Sequence, residues 1–93
     1  MIESCMSFPT LDELKKFVRA KLGECENLLA DQFPFTETKL LRAGRECGRQ
    51  FILHGPRSVR LNAIWVSEKN ALYFYDARGE RFEKVRLTSN PTE

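Results

Sequence analysis

From Val59 to Leu87 the apolar and polar residues fall into three short strand-like runs separated by two turns of the same kind, Ser67-Glu68-Lys69-Asn70 and Asp76-Ala77-Arg78-Gly79. Each turn opens on Ser or Asp and closes on Asn or Gly, the signature of a type I turn followed by one left-handed residue. The pattern predicts an antiparallel meander in which Ser67 faces Ala71 and Asp76 faces Glu80. Counting outward places Ile64, Val66, Leu72, Phe74 and Phe82 on one face. Trp65, Tyr73, Tyr75 and Arg81 fall on the other, with Val59, Leu61, Ala63 and Val85. Both faces are apolar, so both are expected to be covered, and a slip of one residue exchanges the two sets.

Upstream, Leu11, Leu14, Phe17, Val18, Leu22, Cys25 and Leu29 recur at steps of three and four, the stripe of an amphipathic helix. Thr10 with Glu13 three residues later has capping-box spacing, and Asp12 suits the positive end of the helix dipole. Gly23 weakens the last turns, and Pro34 ends the pattern. Thr36 to Leu41 and Cys47 to His54 read as strands around a turn at Arg42-Ala43-Gly44-Arg45, with Gly48 marking a bulge. Gly55-Pro56-Arg57-Ser58 leads into the meander, with Pro56 at the second position of a type I turn. Residues 1–9 and 88–93 are expected to be loose.

The fold class that follows is α+β: one N-terminal amphipathic helix on a curved antiparallel sheet of about five strands, in a single domain over residues 1–93. One helix cannot cover two apolar faces. The Ile64, Val66, Leu72, Phe74 and Phe82 cluster, free of polar atoms, is the expected floor for the helix. The Trp65 face is left to sheet curvature, to the Phe35 region or to another molecule.

Composition changes this picture little. Charged residues make up 30% and hydrophobic residues 42% of 93 residues, a globular balance. No apolar run approaches a membrane span, and the N-terminus lacks signal-peptide character, so a cytoplasmic protein is expected. Cys5, Cys25 and Cys47 are odd in number with no close pair, which points to reduced thiols. Charge is uneven: residues 1–37 hold 4 basic and 7 acidic side chains, whereas residues 38–93 hold 11 and 6. That contrast favours an anionic partner for the sheet region, although it falls short of a dedicated nucleic-acid binder.

The candidate interaction surface is Trp65, Tyr73 and Tyr75 with Arg57, Arg60 and Arg81. Aromatic rings with a polar tip suit partly exposed contacts, and arginine suits planar recognition of carboxylate or phosphate. The competing readings are rings enclosed by a curled sheet and arginines that solvate its edges. Cys47 and His54 are the one pairing that suggests nucleophilic or metal chemistry, but the spacing of ligands and a third orienting group are both missing. Asp76 and Glu80 have turn-making explanations. No catalytic, cofactor-binding or metal residue is assigned, and no cofactor or membrane contact is expected. The sequence reading is a non-enzymatic protein-interaction module whose simplest partner is a second copy of itself, a homodimer built through its sheet; the alternative is an anionic ligand or nucleic acid held by the arginines and aromatics.

Overall fold

The helix begins where its cap dictates, the Glu13 amide donating to Thr10 Oγ1 at 3.2 Å, and α1 runs Leu11–Cys25. It stops through a left-handed residue, Asn27, at φ 55°. Leu28 N–H returns to the Gly23 carbonyl at 2.8 Å and Asn27 N–H to that of Glu24 at 3.2 Å, the double bond of a Schellman end. Leu29, expected on the helical stripe, lies beyond this stop and is 64% exposed. The structure, a computed structural model, describes residues 2–29, 32–89 and 91. Ala30, Asp31, Asn90, Thr92 and Glu93, which belong to the expected turn and tail, lie outside them.

Around α1 the strands are β1 (Ile2–Met6), β2 (Phe35–Arg42), β3 (Arg45–His54), β4 (Arg60–Val66), β5 (Ala71–Tyr75) and β6 (Arg81–Leu87). They form one open six-stranded sheet in the order β1-β6-β5-β4-β3-β2, antiparallel except for the parallel β1–β6 pair. The α+β class and the meander expected from sequence are therefore borne out. The sixth strand is a difference: residues 2–6 form a strand rather than a loose leader, and Thr88 N–H extends the junction by donating to the Met6 carbonyl at 2.9 Å.

The β2–β3 turn carries Ala43 at φ 53° and Gly44 at φ 80°, the two consecutive left-handed residues of a two-residue hairpin turn. The bulge expected at Gly48 is present, the β2–β3 register shifting between Leu40 and Leu41 opposite it. Gly48 is required there, because a Cβ would lie 2.0 Å from the Trp65 carbonyl oxygen. The β3–β4 connection departs from the type I expectation, since Arg57 at φ 56° and Ser58 at φ 64° are both left-handed.

The second meander turn forms as read, with Asp76 N–H donating to the Glu80 carbonyl and Gly79 left-handed at φ 83°. The first does not. Ser67 leaves the β4–β5 ladder, its N–H donating to the Cys47 carbonyl on β3 at 3.0 Å and its Oγ to the same oxygen at 2.9 Å. Val66, not Ser67, consequently pairs at this end, opposite Ala71, and Trp65 pairs with Leu72. This single-residue shift moves Trp65 out of the expected face with Tyr73 and Tyr75 and places Ile64 and Val66 there instead.

A second shift, between Phe74 and Tyr75, sets Phe74 opposite Glu83 rather than Phe82 and carries Val85 across as well, so the helix side of the sheet is a mixture of the two expected sets. Leu14, Val18 and Leu22 of α1 pack with Phe51, Leu53, Leu61, Leu72, Phe74 and Val85, all fully buried. Each such side chain contributes about 1.5–3 kcal/mol through burial. Phe8, Phe17 and Phe82 extend the cluster along Phe74.

Candidate functional site

Alternation along the strands puts Tyr73 and Tyr75 of β5, Asn62, Ile64 and Arg60 of β4, and Arg81, Lys84 and Arg86 of β6 on the side away from α1. Of the sequence candidates, this face gathers Tyr73, Tyr75, Arg60 and Arg81. Arg57 sits on the β3–β4 connection, just beyond the His54–Arg60 pair at the same end. Trp65 is not part of it. The indole lies on the helix side, 8% exposed, with Nε1–H donating to Asn70 Oδ1 at 3.1 Å, so its own chain encloses the ring expected to anchor a partner.

Arg81 organises the open face. Its guanidinium carbon stands 4.3 Å from the Tyr73 ring centre and 5.4 Å from that of Tyr75, and Nη2 donates to the Tyr75 hydroxyl at 2.9 Å. Lys84, directly across from Tyr73, places its ammonium 5.7 Å from the same ring. These contacts hold both rings and both cations together on one face of the sheet, each cation–π contact worth about 0.5–1 kcal/mol at an exposed site. Gln50 Nε2 donates to Asn62 Oδ1 at 3.1 Å, and His54 Nε2 lies 3.1 Å from Thr36 Oγ1, adding fixed polar groups on β3. Lys84, missed in sequence, was signalled by its two-residue spacing from Arg86 on a strand.

Charge is sorted between the two sides. The strands carry four carboxylates, Glu3, Glu37, Glu46 and Glu83. Three are on the helix side in ion pairs: Glu37 with Lys15 at 2.6 Å and with Arg49, Glu46 with Arg49 at 2.8 Å, and Glu83 with Lys21 at 3.0 Å. Only Glu3 accompanies Arg60, Arg81, Lys84 and Arg86 on the open face, 3.4 Å from Lys84 and 3.9 Å from Arg86.

Among the recesses on the helix side, one of about 280 Å³ is lined by Leu11, Glu46, Arg49, Trp65, Ser67 and Pro91. Its charges are already matched within the chain. Burial pushes the Glu37 carboxyl upward, but hydrogen bonds from Lys15 and Arg49 outweigh it and hold it below the ordinary carboxylate range. Burial, with smaller contributions from Glu26 and Asp76, raises the Cys25 thiol, which weighs against thiolate chemistry there.

Cys47 and His54 are not brought together. Cys47 Sγ donates to the Leu40 carbonyl at 3.3 Å, at the opposite end of β3 from His54, about 23 Å away at strand rise. Asp76 Oδ1 accepts the Arg78 and Glu80 amides at 2.9 and 3.0 Å, the turn-making role read from sequence. Among the described residues no group of three or more His, Cys, Asp or Glu side chains is placed to hold a metal ion, and no helix is long and apolar enough to cross a membrane. No protein-family model matches the chain, and neither curated proteins nor solved structures give a significant match.

Proposed function

We propose that this chain is a non-enzymatic binding module whose open sheet face takes a single strand of nucleic acid. The observation that carries the reading is the segregation of charge. The strand carboxylates on the helix side are consumed in ion pairs, while Glu3 is the one strand carboxylate that shares the open face with Arg60, Arg81, Lys84 and Arg86 among the described residues. Phosphates supply the complementary charge, and Tyr73, Tyr75 and the Arg81 guanidinium supply flat surfaces on which bases stack. A second copy is a poorer occupant of this face, because two like-charged surfaces repel. Three free thiols support a reducing, cytoplasmic setting.

Fluorescence anisotropy with a labelled single-stranded oligonucleotide tests the proposal. Binding is expected at low salt, with log Kd rising with log salt by about 0.7 per phosphate contact. Affinity independent of salt, or a total lack of binding at low salt, overturns it.

A further inference from the structure

The outer edge of β2 is open. β2 ends the sheet and spans eight residues, Phe35–Arg42, with no strand on its outer side among the described residues. His54 N–H donates to the Pro34 carbonyl at 2.9 Å. Antiparallel ladders repeat that kind of pair every second residue. Thr36, Thr38 and Leu40 therefore turn their backbone groups toward β3, and Phe35, Glu37 and Lys39 turn theirs outward.

We infer that β2 pairs antiparallel with β2 of a second copy, about a two-fold axis at Thr38. Outward backbone groups can meet their counterparts in registers centred on Glu37, Thr38 or Lys39. Centring on Glu37 sets carboxylate against carboxylate, and centring on Lys39 sets ammonium against ammonium. Centring on Thr38 sets Glu37 against Lys39 twice, and like charges in the two neighbouring registers disfavour slippage.

The same register brings two further gains. Phe35 falls opposite Leu41, which at 66% is the most exposed large hydrophobic side chain in the described chain. Lys39 makes no ion pair among the described residues, whereas Glu37 already accepts from Lys15 and Arg49 and retains lone pairs for a third donor. α1 lies mainly over β3 and β4 and reaches β2 through Lys15 on Glu37 and Arg19 over Phe35, which leaves the outward backbone groups of β2 open. The pairing uses neither Tyr73 nor Arg81 and is independent of the open-face reading.

The full chain with Cys5, Cys25 and Cys47 changed to Ser provides the test. Thr38 faces its own counterpart across the axis in a pair without mutual hydrogen bonds, at a Cα separation of about 4.5 Å, which a disulfide spans. Thr38→Cys is expected to oxidise to a covalent dimer, and Thr36→Cys, which faces Leu40, is not. In sedimentation without oxidant, Lys39→Glu is expected to raise the dimer dissociation constant about tenfold with an unchanged circular dichroism spectrum. A wild-type chain that stays monomeric across a hundredfold range of concentration overturns the inference. So does equal cross-linking at positions 36 and 38, which needs no charge variant to fold.

Discussion

Trp65 and Asn70 are joined by a hydrogen bond of 3.1 Å from the indole Nε1–H to the side-chain carbonyl of a left-handed residue. Asn70 also donates from Nδ2 to the Leu87 and Ser89 carbonyls at 3.3 and 3.0 Å, and its own carbonyl accepts Leu87 N–H at 2.9 Å. One turn residue therefore ties β4 to the end of β6 and holds the register that buries Trp65. Asn70→Gly keeps the left-handed backbone and the Leu87 N–H bond to its carbonyl but removes the three side-chain bonds, and should destabilise the fold by about 1–3 kcal/mol in urea denaturation. A variant as stable as the parent would mean that Asn70 is chosen for its backbone alone.

Gly48→Ala is expected to cost about 3 kcal/mol or more, because the added Cβ meets a backbone oxygen at 2.0 Å and no flexible side chain can yield. Thermal or chemical denaturation measures this directly. Gly44→Ala, where a Cβ meets nothing within 4 Å, serves as the comparison and should suffer only the left-handed backbone penalty of about 1 kcal/mol.

How far the sequence reaches is clear from the meander. The α1 stripe, its Thr10 cap and the Asp76 turn depend on neighbours within a few residues and could be read locally. The register beyond the Ser67 turn could not, because Ser67 bonds to Cys47 on β3, twenty residues away, and so leaves the β4–β5 ladder. Trp65 was misassigned for this reason and no other. β1 escaped notice because it pairs in parallel with β6 across nearly the whole chain, and its short run of mixed residues carries no alternation.

Acid should weaken the clamp between α1 and the sheet. The Glu37 carboxyl is held below its ordinary value of 4.5 in the folded chain, so its contribution is present above that value. It is lost as pH falls through the lower folded value. Urea midpoints at pH 7 and pH 3 should fall for the parent chain. Glu37→Gln should lower the stability at pH 7 by about 1–3 kcal/mol and flatten the pH dependence. An equal acid loss in both chains would place the titrating group elsewhere.

The two aromatic sets should separate in binding. Trp65→Phe leaves the open face intact and is expected to keep oligonucleotide affinity within about twofold, whereas Tyr73→Ala should lose about tenfold, the lower range for one stacked base. Because Trp65 is the single tryptophan and is buried, its fluorescence should resist acrylamide and change little on binding. Loss of affinity in Trp65→Phe with none in Tyr73→Ala would reverse the assignment of faces.

The most direct measurement is an amide chemical-shift map of the isotope-labelled chain titrated with a single-stranded oligonucleotide at low salt. Shifts are expected at Asn62, Tyr73, Tyr75, Arg81 and Lys84, with Leu14, Val18 and Leu22 on α1 unmoved. A map centred on α1 or on the recess beside Trp65, or one with no shifts at all, would contradict the open sheet face as the binding surface.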